Sequence, residues 1–361
     1  VNTTDGVEFC NGIDPGCFLD PTTGKFWLTF GSYFGYIRVV ELNPKTGMRI
    51  DDTYHDIAVN CEASTMIYHD GYYYLLATHG SCCRGSDSGY NIRVGRSKNV
   101  TGPFIDHEGV DMIQGGGKLL IGSGERYIGA GHFGLFDEGQ GVQKFSLHWE
   151  ADLERGGGSV LDIRPLVWED GWPVAGEKFK EGTYQVLSYR SGTALELAVE
   201  GLPVGRGSGG RGGRGGFGGF GGGEPVADQT AADVMENWPA GNIDARLSNY
   251  MCQAQQKWTI TPAEGKGGYL GAPYFKIQLA GTDRVLAAAE GAEVVTVPSY
   301  TGSEEQLWRI EQLTDGKWRI MPKAIPGTNE PMALSAIGAS SVTLEKFDPD
   351  GLKQRWLFKA P

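Results

Sequence analysis

Three Gln-x-Trp tripeptides, Gln256-Lys257-Trp258, Gln306-Leu307-Trp308 and Gln354-Arg355-Trp356, recur with their tryptophans 50 and 48 residues apart. A motif repeated at near-constant spacing demands a fold with internal repetition, because each short unit needs its neighbours to bury its apolar face. The spacing predicts a three-fold β-trefoil over residues 177–361, with each Trp in the core and each Gln supporting backbone. The first lobe begins at Gly182-Thr183-Tyr184-Gln185-Val186-Leu187. A low-complexity insert, residues 205–223, GRGSGGRGGRGGFGGFGGG, interrupts it. Arg-Gly repeats with Phe can bind RNA. Three arginines on a chain of net charge −12 favour a flexible surface loop instead.

Residues 1–176 carry a different repeat. Asn60 to Leu76 reads as an acid at the head of a strand (Glu62), a His69-Asp70-Gly71 turn, and an aromatic strand from Tyr72. Asp-Gly is a hairpin signal, and aromatic runs suit half-buried strands. Asn11 to Leu28 has the same layout, with Asp14 at its head and a turn through Asp20 and Gly24. Gly129 to Leu147 repeats it with His132 at its head. Such units tens of residues apart predict propeller blades, whose first strands line a central axis. Asp14, Glu62 and His132 would then converge. Alone, Glu62 reads as a satisfied structural carboxylate; the repeats are what argue for a site. Small-residue turns at Gly31-Ser32 and Gly80-Ser81 would leave room for a ligand near the axis, and ordinary turn chemistry accounts for them equally well. The fold class expected is all-β: a partial propeller of about three blades, then a trefoil.

The chain has 361 residues, enough for two domains with separate cores. Its acidity argues against nucleic acid as the main partner. Glycine is abundant at 57, beside 9 Trp, 15 Tyr and 15 Phe, a composition of many turns and many rings that fits β structure able to stack on sugars. No apolar run approaches a membrane span. The opening VNTTDGVEFCNGID lacks a basic-apolar leader, which predicts a processed N-terminus. The six cysteines, Cys10, Cys17, Cys61, Cys82, Cys83 and Cys252, fit no zinc spacing. Disulfides are compatible with export, and their pairing is not readable from spacing.

Residues 8–176 resemble the arabinanases of glycoside hydrolase family 43, which are five-bladed propellers. The matching stretches are Asn11-Gly12-Ile13-Asp14-Pro15, Phe30-Gly31-Ser32, Cys61-Glu62-Ala63-Ser64, His79-Gly80-Ser81-Cys82-Cys83-Arg84-Gly85, Tyr90 to Ser97, and Gly129-Ala130-Gly131-His132. Residues 182–361 resemble a ricin-B-like trefoil of the carbohydrate-binding module family 13 type. The first resemblance implies an inverting glycosidase acting on α-L-arabinofuranosyl linkages of arabinan or a related polysaccharide. It implies Glu62 as general acid and Asp14 as the carboxylate that orients it and tunes its pKa. The general base of that family has no matching stretch in this chain. The resemblance places Gly31, Ser32, Ser81 and Arg84 at the substrate, and His132 beside a calcium or similar ion, usually through water.

It also implies an exported protein, whether secreted, periplasmic or cell-surface. Three blades fall short of the four to eight that close a ring. A separate N-terminal propeller fragment of roughly 130–180 residues is therefore expected as a partner, by propeller-like repeat lengths. The competing reading is a non-catalytic carbohydrate-binding protein with a degenerate propeller. In the trefoil, Glu196 and Tyr250 of the first lobe are the expected lectin-like pair. The corresponding places hold Ala287 and Tyr300, then Ser335 and Phe347, so the other lobes lack the acid.

Overall fold

The computed structural model describes residues 11–139, 141–199, 238–265, 267–269 and 272–361. The insert at 205–223 and Cys10 lie outside the described residues. The chain divides into two compact units, Val1–Glu177 with Thr314–Gly316, and Lys178–Leu313 with Lys317–Pro361. Helical segments among the described residues are three-residue 3-10 turns.

The first unit contains three four-stranded antiparallel blades, each a meander in chain order. Blade one is β1 (Gly16–Leu19), β2 (Phe26–Phe30), β3 (Tyr36–Leu42) and β4 (His55–Val59). Blade two is β5 (Cys61–His69), β6 (Tyr72–His79), β7 (Asn91–Ser97) and β8 (Lys118–Ile121). Blade three is β9 (Tyr127–Asp137), β10 (Gln143–Asp152), β11 (Gly158–Glu169) and β12 (Trp172–Ala175). The repeat predicts the first two strands of every blade. It misses the short fourth strands, and Trp172-Pro173 opens β12.

Strand β6 shows why Tyr72 to Leu76 is so apolar. Side chains alternate faces along a strand. Tyr73, Leu75 and Ala77 enter one core with Phe18, Trp27, Ile37 and Val39 of blade one. Tyr74 and Leu76 enter another with Phe133, Phe145 and Trp149 of blade three. The middle blade is covered on both faces, so its strand reads as a continuous apolar run, as any doubly buried strand does. The Asp70-Gly71 and Asp170-Gly171 turns hold both residues at positive φ, 44° and 77°, then 51° and 72°. That is the hairpin turn whose twist matches its strands.

The second unit is a β-trefoil built on twelve strands of one sheet. Trp258, Trp308 and Trp356 are fully buried in one core. Their indole N–H groups donate to Leu195 O at 2.8 Å, Leu286 O at 2.9 Å and Leu334 O at 2.9 Å. The glutamines repeat as closely. Gln256, Gln306 and Gln354 accept through Oε1 from the backbone N–H of Met251 at 2.7 Å, Thr301 at 2.8 Å and Asp348 at 2.7 Å. Buried amides must be satisfied, and each Gln satisfies the loop before its own Trp. The strand Gly182–Ser188 pairs with the last strand, Trp356–Lys359, in the register Gln185 with Lys359 through Ser188 with Trp356.

Candidate active site

The first strands of the three blades pack side by side. An added Cβ on Gly16 of β1 would lie 2.2 Å from Ser64 O of β5, so only glycine allows this approach. Thr65 Oγ1 of β5 donates to Phe133 O of β9 at 3.1 Å. This packing brings together Asp14, just before β1, Glu62 of β5 and His132 of β9.

Backbone geometry aims these residues. Asp14, Ala63 and His132 have φ of 54°, 49° and 61°. Such left-handed backbone is uncommon for residues other than glycine and clusters at functional sites. Two of the three sit in bulges. The β5–β6 register shifts between Glu62 and Thr65, and the β9–β10 register shifts between Ser146 and His148, the stretch that faces His132 and Phe133. A bulge breaks the alternation and redirects the local side chain. Across the blades, the Ala63 N–H donates to Asp14 Oδ2 at 3.2 Å.

Glu62 is half-buried, and its carboxyl is held above the ordinary glutamate range. Burial is the largest cause, and the negative charge of Asp14 is the second. The Tyr33 backbone N–H bonded to Glu62 works in the opposite sense, while His132 and Glu150 also lie within its field. A protonated carboxyl at near-neutral pH is what a general acid requires.

Glu150 is a site residue that the sequence reading misses. Its Oε1 meets His148 Nε2 at 3.2 Å, and its Oε2 accepts from the Arg84 N–H at 3.2 Å. The available signal was His148-Trp149-Glu150, where i and i+2 share a strand face. Glycines make the space: an added Cβ on Gly131 would lie 2.6 Å from the Tyr90 ring, and one on Gly129 2.8 Å from Glu150 Cγ.

The expected substrate residues divide. Ser32 is buried, and its hydroxyl accepts from Asn11 Nδ2 at 2.6 Å. Gly31 donates its N–H to Ile13 O at 3.0 Å. Both brace the segment carrying Asp14. Ser81 gives its carbonyl to Ser88 Oγ at 3.0 Å. Arg84 has an exposed side chain on the same loop. His132 is exposed, and its backbone N–H donates to Thr78 Oγ1 at 2.9 Å. Among the described residues no group of three or more His, Cys, Asp or Glu is placed to share an ion.

In the trefoil, Glu196 lies deep in its lobe. It is 3% exposed, with Arg246 Nε donating to Oε1 at 2.7 Å and Gln256 Nε2 to Oε2 at 2.8 Å. A carboxylate so buried and so occupied is structural. Ser335 does the same work in the third lobe, accepting from Gln354 Nε2 at 2.9 Å. Tyr250 is half-buried. A separate cavity of about 390 Å³, lined by Tyr274, Glu304, Arg309, Lys323 and Asn329 among others, shares no residue with that pair.

The three-bladed array thus sets a half-buried acid beside a second carboxylate. Residues 4–173 match the profile of Glycosyl hydrolases family 43, and residues 254–329 match a ricin-type β-trefoil lectin domain-like profile. The chain thus carries a family 43 glycosyl hydrolase domain followed by a ricin-B-like lectin domain. It is 36% identical over 191 residues to an extracellular exo-α-(1→5)-L-arabinofuranosidase of Cellvibrio japonicus, covering 47% of this chain and 53% of that protein. It is 34% identical over 171 residues to an extracellular endo-α-(1→5)-L-arabinanase of Bacillus subtilis, covering 45% and 50%. Among solved structures it is similar to an α-L-arabinanase of Cellvibrio cellulosa complexed with arabinohexaose, with 34% identity, TM-score 0.44, and coverage of 46% of this chain and 58% of that one. The chain spans about half the length of the curated relatives it matches. These comparisons favour the hydrolase over the non-catalytic reading, and they give no support to a separate propeller fragment as partner.

Proposed function

We propose that this protein is an inverting glycoside hydrolase that cuts α-L-arabinofuranosyl linkages in arabinan or a related polysaccharide. The observation that carries this reading is the pairing of Glu62 with Asp14 across two blades. Burial and the Asp14 charge raise the pKa of Glu62, as a proton donor needs, while the Ala63 N–H fixes the Asp14 oxygen beside it. Glu62 then delivers its proton to the leaving glycosidic oxygen. The Tyr33 N–H steadies the carboxyl and receives the carboxylate that proton transfer leaves. Inversion needs a base with room for a water on the opposite face of the sugar. No described residue is assigned that role.

An ion belongs to this reading only beyond His132. Calcium takes six to eight oxygen ligands, and one imidazole with no ligand cluster among the described residues suits contact through water. Arg84, exposed on its loop, is the side chain this reading assigns to a sugar hydroxyl. Export is part of the same proposal, supported by relatives whose names are extracellular.

The experiment is reducing-sugar release from linear arabinan, together with calorimetric titration of arabino-oligosaccharides, on the protein and its Glu62→Gln variant. Release that Glu62→Gln abolishes while oligosaccharide binding survives is the expected result. Absence of both release and binding in the unaltered protein would overturn the reading.

A further inference from the structure

Cys82 and Cys83 are adjacent in sequence, both exposed, and their sulfurs lie 2.7 Å apart. They occupy the loop between β6 and β7, and this loop is held from both sides. Ser88 Oγ closes it by donating to Ser81 O, and the Arg84 N–H, next along the chain, anchors on Glu150. Gly80 seats its base so tightly that an added Cβ would meet Gly89 O at 2.3 Å. Both thiols are exposed beside each other, and Cys82 lies within the field of Glu62 and Glu150.

We propose that Cys82 and Cys83 form a dithiol modification site that a disulfide co-reactant closes into a vicinal disulfide, locking the loop that presents Arg84. The exchange balances simply. The Cys83 sulfur attacks an external disulfide R–S–S–R and releases one R–SH. Cys82 then displaces the second R–SH, and the ring closes with two thiols oxidised and one disulfide reduced. The order follows from the structure. The Cys83 thiol, then burial and the two glutamates, push Cys82 up to about 11, so Cys82 is the poorer first nucleophile. Once Cys83 is in the mixed disulfide, its hydrogen bond to Cys82 is gone.

Neighbouring Cα atoms lie about 3.8 Å apart. Relaxed disulfides span about 4.4–6.8 Å between Cα atoms, so this ring is strained and readily reduced. The site is thus reversible rather than a permanent staple. Cys83 already has φ of 63°, so closing the ring fixes an unusual backbone that the open loop must hold by its hydrogen bonds alone.

The test needs no substrate. The full chain is equilibrated with oxidised or reduced glutathione, then mapped by mass spectrometry without reduction, and its cleavage by trypsin after Arg84 is timed. Oxidation is expected to lower the mass of the Cys82–Cys83 peptide by about 2 Da without adding glutathione. It should also slow cleavage after Arg84 by about fivefold or more, as local opening is suppressed. Cys83→Ser should remove both responses. A stable glutathione adduct on either cysteine, a bridge to another cysteine, or equal cleavage rates in the two states would overturn the proposal.

Discussion

Asp14 Oδ2 accepts the Ala63 backbone N–H at 3.2 Å, so a carboxylate ahead of one blade is tied to the residue after the proposed acid of the next. Asp14 reaches Glu62 through charge and through the backbone that aims it. Asp14→Asn keeps the shape and removes the charge. The Glu62 carboxyl should then ionise at lower pH, and the alkaline limb of the pH–rate profile should move to lower pH. An unchanged limb in a kcat/KM profile would remove Asp14 from this role.

Glu62→Gln should abolish cleavage of natural arabinan, since lost proton donation is worth roughly 10²–10⁴-fold. Aryl arabinosides with activated leaving groups need less protonation and should lose less. Equal losses on both substrates would count against the acid role.

The same substitution has an expected effect on stability. The folded state disfavours ionised Glu62, raising its pKa above that of the unfolded chain. The stability this linkage provides is full below the unfolded glutamate range and is lost as pH rises through the folded value. Gln cannot ionise, so Glu62→Gln should melt higher than the unaltered protein near pH 8. The difference should vanish near pH 4, as thermal melts at both pH values would show.

Ala63 holds φ of 49° in the bulge beside Glu62. Left-handed backbone costs an L-residue about 1–2 kcal/mol, so Ala63→Gly should stabilise the domain by up to about 1 kcal/mol in chemical denaturation. The gain should come with weaker catalysis, because glycine also loosens the turn that aims Glu62.

Glu196→Ala should destabilise the trefoil by about 2–3 kcal/mol, by stripping two hydrogen bonds from Arg246 and Gln256. It should leave polysaccharide retardation in affinity gels unchanged. Lost retardation with an intact fold would restore Glu196 as a sugar ligand.

Much of the architecture was legible because it repeats. The three Gln-x-Trp motifs mark the trefoil, and the Asp70-Gly71 hairpin with its apolar partner strand marks a blade buried on both faces. The fourth strands were not legible, since β8 and β12 are four residues each and carry little periodic signal. The bulges were hidden too. Sequence cannot show that Ala63 and His132 take left-handed backbone, because Ala disfavours it and even for His, which visits it more than most, it is uncommon. Glu150 escaped notice because its partners, Arg84 and His148, lie on other segments or look like ordinary strand residues. Glu196 shows a different limit. An acid early in a lobe resembles a ligand until its two oxygens are found on Arg246 and Gln256.

The pairing of Gln185 through Ser188 with Trp356 through Lys359 places the first and last strands of the trefoil edge to edge. Its polypeptide therefore enters and leaves at one seam. A module with adjoining ends can be spliced into a surface loop of another protein without stretching its host. It can also be reopened at a different lobe and rejoined across the seam, with the three tryptophan anchors still closing the same ring.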